Sequence, residues 1–171
     1  MKLYIAPEQT PERIEACANI FLAGSIEQDR AMNWQQLVIN EIEQHPSSRS
    51  LAVFNPRRQT WDASLEQTKE NPAFNDQVNW ELDHLWRADI TFFYFEPGTK
   101  SPISLMELGF MCGRGCADMF PIIVVCPPGF WRRGNVEIMC ERENIPCFDT
   151  LEAGLNCLNM TISDYVKVCT H

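Results

Sequence analysis

The chain is organised around a segment that runs from Asp89 to Gly109 and reads DITFFYFEPGTKSPISLMELG. Its first part is an unbroken apolar run, which predicts a buried strand, and a Pro-Gly pair marks a turn after it. Ser101 followed by Pro102 is typical of a helix start, because serine is a favoured N-cap and proline fits the first helical position. The segment therefore predicts a strand, a tight turn and a helix that begins at Pro102.

One carboxylate stands out in this helix. Its apolar side chains point in nearly every direction, which predicts a helix buried on most of its circumference: they are Ile103, Leu105, Met106, Leu108, Phe110 and Met111. Glu107 lies on the single polar line, with Ser101 and Ser104. A buried carboxylate is costly unless it is used or paired, so Glu107 is a candidate for covalent attack or proton transfer. The alternative is a structural ion pair with Arg114 or Arg87.

Length and charge limit the possible functions. The 171 residues fit a single domain, 1–171, with a substantial core. The net charge of −9 leaves no basic surplus to neutralise a phosphate backbone, so we expect small-molecule substrates and no nucleic-acid partner. The apolar start of the chain is too short for a signal peptide, and no run approaches the length of a membrane span.

The cysteines indicate a reducing compartment. All eight lie mostly in apolar or helical stretches without a CxxC pair, which is typical of reduced thiols in a cytoplasmic protein. Cys112 and Cys116 are four residues apart on one helix, but the three histidines are scattered along the chain. We therefore predict no metal site and no cofactor.

The remaining elements alternate along the chain. We predict strands at 19–25, 50–55, 89–95 and 121–126, a short strand at 146–148, and further helices at 29–44, 74–88, 132–144 and 150–170. Continuous apolar strands separated by helices favour an α/β fold of three layers, with a mainly parallel sheet of about five strands. In such folds ligands bind beyond the carboxyl ends of the strands.

Candidate ligand-binding residues follow three of these strands. Gly24 permits close backbone approach and Ser25 adds a hydroxyl, which suits a sugar or a phosphate. The polar segment 56–72 is long for a plain connection and carries Arg57 and Trp61, so it is a candidate binding loop. Trp61 could stack on a nucleobase or simply pack. Ser101 completes the set.

Two further carboxylates are of interest. Glu81 falls on the apolar line of helix 74–88 and so points inward, as a second acidic group or as a structural glutamate at the boundary of the core. Asp89 stands where a strand begins, and a structural turn role is the simpler interpretation. It is retained among the candidates for substrate binding.

The sequence also resembles a known family. The residues FLAGS at 21–25, NPRR at 55–58, Trp80-Glu81, Ala88-Asp89, Ser101 and Glu107-Leu-Gly109 are similar, in order and spacing, to nucleoside 2-deoxyribosyltransferases. The resemblance extends over residues 18–140. It implies a flavodoxin-like (Rossmann-like) fold, a glutamate nucleophile at Glu107 and an acidic partner at Glu81.

The resemblance implies further properties. It implies homo-oligomers, dimeric or larger, whose sites borrow residues from a neighbouring subunit, and the segment around Asn135 resembles the one that supplies an asparagine. The reaction it implies is transfer or cleavage at the N-glycosidic bond of a (deoxy)nucleoside through a covalent glutamate-sugar intermediate.

Alternatives remain open at this point. Many relatives have a tyrosine on the first strand of the motif, where this chain has Ile20-Phe21-Leu22. Ser101 stands where transferases that act on free nucleosides often have an aspartate, which is similar to the branch that hydrolyses deoxynucleoside 5′-monophosphates. Glu27, however, would repel a phosphate. Two other hypotheses remain: a non-catalytic nucleotide-binding module and, last, an enzyme that cleaves a dinucleotide.

Overall fold

The computed structural model of the chain describes residues 1–26, 31–58, 66–113 and 120–169. The strands are β1 (Lys2–Ile5), β2 (Ala18–Gly24), β3 (Leu51–Asn55), β4 (Ile90–Tyr94), β5 (Ile122–Val125) and β6 (Cys147–Phe148). The helices are α1 (Trp34–Gln44), α2 (Pro72–Arg87), α3 (Pro102–Gly113), α4 (Arg133–Arg142) and α5 (Leu151–Cys169).

The six strands form one sheet in the order β1-β3-β2-β4-β5-β6, and every neighbouring pair is parallel. Counted from β2, the order is 2-1-3-4-5, which is the strand order of flavodoxin-like folds. Helices cover both faces of the sheet, so the predicted three-layer α/β fold with a parallel sheet is confirmed.

The prediction of about five strands omitted β1. This strand pairs with β3, with Leu3 opposite Val53, and forms one edge of the sheet. Lys2 and Leu3 are exposed, so the strand lacks the continuous apolar run by which the other strands were predicted. Its partner strand, rather than its own sequence, specifies its conformation.

Alternation along the strands divides the core into two layers, because successive side chains of a strand point to opposite faces. On the face covered by α1 and α5, the buried side chains include Ile20, Leu22, Trp34, Phe92 and Leu158. On the face covered by α2, α3 and α4, they include Phe21, Phe93, Leu85, Leu108 and Val136.

A side-chain cap defines the start of α2, and the start of α1 differs from the prediction. The Asn71 side chain accepts hydrogen bonds from the backbone N–H groups of Ala73 (3.1 Å) and Phe74 (3.3 Å), so α2 begins at Pro72, two residues before the prediction. The predicted start of α1 at residue 29 lies outside the described residues. Residues 31–33 are not helical, and α1 begins only at Trp34, which corrects the prediction for this part of the chain.

Within the described ranges, no helix is both long enough and apolar enough to cross a membrane.

Candidate active site

The carboxyl ends of β2 and β4 lie side by side, with Gly24 opposite Tyr94. The helix after β2 packs on one face of the sheet and the helix after β4 on the other. The chain therefore reverses its direction of winding between these two strands, and such a switch point leaves a crevice in which α/β proteins bind ligands. We refer to the carboxyl ends of the strands as the carboxyl rim.

Gly24 serves the packing of this rim. Its φ is +144°, and a Cβ atom built on it would lie 2.2 Å from the carbonyl oxygen of Tyr94 and 2.9 Å from the Trp34 ring. Only glycine fits there. The close backbone approach predicted at Gly24 is thus made by the neighbouring strand; contact between Gly24 and a substrate stays a prediction.

Three buried hydroxyls form a cluster where α3 begins. The Ser25 Oγ lies 2.9 Å from Thr99 Oγ1 and 2.6 Å from Ser101 Oγ, and the last two atoms are 2.9 Å apart. The Glu96 backbone N–H donates to Ser25 Oγ at 2.9 Å, and Thr99 Oγ1 donates to the Glu96 carbonyl at 2.8 Å. The hydroxyl cluster fixes the connection between β4 and α3. Substrate contact by Ser25 or Ser101 stays a prediction.

Ser101 holds an uncommon backbone conformation, with φ of +44°. Its carbonyl accepts the N–H of Leu105 at 3.0 Å, and α3 begins at Pro102 as predicted. One helical turn further, the same face of α3 carries Ser104 and then Glu107 into the protein. The hydroxyl cluster therefore sets the direction in which α3 leaves the rim, and with it the position of Glu107.

Glu107 is buried, with 8% of its surface exposed. Burial, and after it the negative charge of Glu81, raises the pKa of Glu107 from its usual 4.5 to about 8. Within the described part of the chain, no cation forms an ion pair with Glu107. Arg87 donates instead to the carbonyls of Pro11 and Glu12, at 3.0 Å each, so the structural pair with Arg87 was wrong. Arg114 lies outside the described residues.

Glu81 is the second carboxylate of the site, and α2 places it close enough for its charge to act on Glu107. Burial raises the pKa of Glu81, while Gln77 and Arg58 act in the opposite direction. The Gln77 side-chain N–H₂ donates to Glu81 Oε1 at 2.5 Å and to the Pro56 carbonyl at 3.2 Å. The guanidinium of Arg58 donates to Gln77 Oε1.

The sequence interpretation missed Gln77. Its signal was available, because Gln77 stands four residues before Glu81 and helical side chains at that spacing are neighbours. It is 3% exposed and uses both ends of its amide, so it holds Glu81 and Arg58 in one hydrogen-bonded line. Of the two adjacent arginines, Arg58 therefore lies nearer to the acidic pair.

Arg57, predicted to bind substrate, contacts the segment before α1. Its guanidinium donates to the carbonyls of Ala31 (3.1 Å) and Met32 (3.0 Å) and to Gln35 Oε1 (3.3 Å). These contacts tie the β3 end of the rim to α1. A role in substrate binding for Arg57 stays a prediction, and Trp61 lies outside the described residues.

Asp89 lies at the opposite, amino ends of the strands, directly before the first residue of β4. Its Oδ2 accepts the N–H of Asn19 at 2.7 Å, and its Oδ1 accepts the Tyr165 hydroxyl at 3.0 Å. The length of a strand separates it from the carboxyl rim. The prediction that Asp89 binds substrate is therefore corrected, because its lone pairs join a strand to α5 far from Glu107.

Asn135 is exposed in the first turn of α4. Just before that helix, the Trp131 indole N–H donates to the carbonyl of Lys100 at 2.9 Å, which ties the start of α4 to the connection between β4 and α3. Asn135 thus stands on the carboxyl-rim side of the sheet and faces away from the protein.

Helix α3 is not buried on most of its circumference, which corrects the prediction. Three apolar side chains at positions i, i+3 and i+7 are exposed: Ile103 (56%), Met106 (60%) and Phe110 (44%). Trp86 of α2 is 53% exposed and its ring centroid lies 5.9 Å from that of Phe110. We refer to these four residues as the apolar stripe.

The fold and the site define a class: a parallel α/β protein with a buried carboxylate, Glu107, beside a half-buried one, Glu81, at its switch point. The model of one family, described as nucleoside 2-deoxyribosyltransferase like, matches residues 17–130, which is two thirds of the chain. The chain belongs to this family, and the predicted resemblance is confirmed.

The other comparisons are less informative. The crystal structure of a conserved protein from Enterococcus faecalis V583 is similar at 13% identity, covering 88% of this chain and 97% of that one, with a TM-score of 0.48. No curated protein matches the sequence. Among the described residues, no group of three or more His, Cys, Asp or Glu side chains could hold a metal ion.

Proposed function

We propose that this protein cleaves or transfers the N-glycosidic bond of a (deoxy)nucleoside through a covalent sugar ester on Glu107. The observation that carries the proposal is the acidic pair. Glu107 is buried beside Glu81 without a cationic partner in the described part of the chain. Membership of the nucleoside 2-deoxyribosyltransferase-like family supports the same chemistry.

In the proposed reaction the Glu107 carboxylate attacks the anomeric carbon through an oxocarbenium-like transition state. The bond from that carbon to the nucleobase breaks, and Glu81 donates the proton that the leaving base requires. Glu81, now a carboxylate, then removes a proton from water or from a second base, which displaces Glu107 and retains the configuration of the sugar. Water gives hydrolysis, and a base gives transfer.

The position of one proton is central to this scheme. Two neighbouring carboxyls in a poorly solvated site do not both ionise readily, and the raised pKa of Glu107, about 8, favours its protonated form in the empty site. Attack requires Glu107 to be ionised and Glu81 to be protonated. Positive charge that develops on the sugar stabilises the ionised form of Glu107, so we propose that the proton moves to Glu81 as the substrate reacts.

We propose that the hydroxyl cluster lies near the 5′ position of the bound sugar. Its three hydroxyls already contact one another, and Thr99 also donates to the Glu96 carbonyl. A phosphate bound there would have to break contacts already made. We therefore propose a substrate with a free 5′-hydroxyl, and a 5′-monophosphate is the second candidate because Ser101 is similar to that branch.

A panel assay tests the reaction. Purified protein is incubated with deoxynucleosides and with their 5′-monophosphates, with and without a free acceptor base, and released and exchanged bases are separated by chromatography. We expect product from deoxynucleosides and none from Glu107→Ala. Full turnover by Glu107→Ala would contradict the mechanism, and ligand binding without any product, unchanged in Glu107→Gln, would identify a binding module instead. Preference for monophosphates would overturn the assignment of the 5′ position.

We further propose a homo-oligomer that covers the apolar stripe. Exposed apolar side chains on one helix face are typical of an interface, and the stripe lies on the helix that carries Glu107. Met106→Glu should shift the molar mass measured by light scattering towards the monomer. Met160→Glu is the matched control, since Met160 is similarly exposed (69%) on α5. A wild-type monomer with full activity would contradict the proposal.

Shared sites have a separate test, which concerns Asn135. If a neighbouring subunit supplies this exposed side chain, Asn135→Ala and Glu107→Ala should each be inactive, and a mixture of the two should recover part of the wild-type rate. Mixed oligomers then contain sites in which both residues are intact. Activity that stays at the sum of the separate variants, under conditions where subunits exchange, would exclude a shared site.

A further inference from the structure

Two free thiols line one cavity at the amino ends of the strands, opposite the candidate active site. Cys17 directly precedes β2, and its N–H donates to the Ser50 carbonyl at 2.7 Å. Cys169 is the last residue of α5. Both cysteines are free and line one cavity of about 670 Å³, and Cys17 lies close enough to Cys169 to raise the pKa of its thiol.

We propose that Cys17 and Cys169 form a redox-active pair, which a low-molecular-weight disulfide such as oxidised glutathione converts into an intramolecular disulfide. The proposal is independent of the proposed glycosidic activity. The two thiols would be reduced in the cytoplasm that the cysteine content predicts. More oxidising conditions would form the disulfide between them.

The reaction consists of two thiol-disulfide exchanges. The Cys169 thiolate attacks one sulfur of oxidised glutathione, whose S–S bond breaks and releases one glutathione thiolate, leaving a mixed disulfide on Cys169. The Cys17 thiolate then attacks the Cys169 sulfur and expels the second glutathione. The two cysteines lose two electrons and two protons, and the oxidant becomes two thiols.

Exposure determines the order of attack. Cys169 is exposed, whereas Cys17 is half-buried, so an oxidant in solution reaches Cys169 first and Cys17 resolves the mixed disulfide. The neighbouring Cys17 thiol raises the pKa of the Cys169 thiol, and the charge of Asp89 adds to this, so we expect slow oxidation at neutral pH and choose a mildly alkaline assay.

A second pair supplies the comparison. Cys140 and Cys147 also lie close enough for each thiol to shift the pKa of the other, but Cys140 is only 1% exposed, inside the core layer beneath α4. Proximity of the two thiols is therefore common to both pairs, whereas only the first pair has an exposed member that an oxidant can reach. If proximity alone sufficed, both pairs would be oxidised.

The proposed bond would tie the last turn of α5 to the entry of β2. It would close a loop that spans nearly all of the described chain, which lowers the entropy of the unfolded state, so we expect the Tm to rise by about 5 to 10 °C. The carboxyl rim lies at the other end of the strands. The oxidised protein should therefore keep its ligand binding and any glycosidic turnover.

The experiment treats the folded wild-type protein with oxidised glutathione and measures its intact mass, its disulfide-linked peptides and its Tm. The expected result is the loss of two hydrogen atoms, a linked peptide pair containing Cys17 and Cys169, and a Tm increase that dithiothreitol reverses. Cys147→Ser is the matched control and should behave as the wild type.

Single variants of the pair make the test specific. Cys169→Ser should lose no hydrogens, and Cys17→Ser should retain one glutathione on Cys169 because nothing resolves the mixed disulfide. The proposal is overturned if wild-type protein keeps glutathione on Cys169 without an internal bond, if the linked peptides contain Cys140 and Cys147 instead, or if the mass does not change.

Discussion

Glu107 and Asp89 are carboxylates at opposite ends of the strands of one sheet, and their surroundings differ. Both oxygens of Asp89 accept hydrogen bonds, one from the Asn19 backbone and one from the Tyr165 hydroxyl. Glu107 is more deeply buried, and in the described part of the chain no ion pair neutralises it; its charged neighbour is the like-charged Glu81. A carboxylate with satisfied lone pairs joins structural elements, whereas one that burial leaves poorly solvated is poised for chemistry.

The largest expected effect is on turnover. Glu107→Gln should lower kcat by about 10⁴-fold, because an amide of the same shape cannot form the sugar ester, while substrate affinity changes little. Asp89→Asn is the matched control and should stay within about twofold of the wild-type rate. Both are measured as base release from the deoxynucleoside that the panel assay identifies. If kcat fell by a comparable factor in the two variants, the proposed difference between a catalytic Glu107 and a structural Asp89 would be wrong.

The second effect concerns stability and pH. Because folding raises the pKa of Glu107 from 4.5 to about 8, the folded protein binds this proton more tightly than the unfolded chain. Its contribution is fully present below about pH 4.5 and is lost as the pH rises through about 8. We expect the free energy of unfolding to fall by about 4 kcal/mol over that range.

Denaturant unfolding at several pH values measures this effect. Glu107→Gln should flatten the dependence and be more stable than the wild type at pH 8, since an amide has no proton to lose. Asp89→Asn should instead be less stable than the wild type by about 1 to 2 kcal/mol, since its hydrogen bonds to a charged acceptor are weakened. A Glu107→Gln variant that keeps the wild-type slope would show that Glu107 is not the buried acid.

The smallest effect sharpens the role of Gln77. Gln77→Met keeps the length of the side chain but removes the N–H donor to Glu81 and the acceptor for Arg58. The pKa of Glu81 should rise further, so the pH profile of kcat/KM should move to higher pH. Loss of the hydrogen bond that positions Glu81 should also lower the maximum of the profile by about tenfold. Gln36→Met, on the exposed face of α1, is the control. A lower rate with an unshifted pH profile would indicate that Gln77 only supports packing.

The local sequence predicted most of the fold. The apolar runs of β2 to β5, the Ser-Pro start of α3 and the alternation of strands and helices each carry a signal over a few neighbouring residues. The edge strand β1 does not, because half of it is exposed and β3 supplies its hydrogen bonds. The burial of α3 was also misjudged, since an apolar helix does not reveal whether its outer face meets its own chain.

The candidate site shows the same division. Glu107 and Glu81 were found because each places a charge on an apolar helix line, a property of a single helix. Asp89 was misplaced because a position at the start of a strand does not by itself show whether it lies near the carboxyl ends of the neighbouring strands. That depends on the directions of the strands in the sheet. Gln77 was missed because amides are common on helices and its importance lies in its partners.

By itself, the sequence determined the elements and the acid around which they are arranged, since the period of apolar residues and a misplaced charge are both local properties of the chain. Only the tertiary structure decided which side chains come together: Glu81 beside Glu107, the three hydroxyls before α3, and Cys17 with Cys169 in one cavity. The strand order brings together residues far apart in the chain, and a pKa or a reactive pair depends on those neighbours.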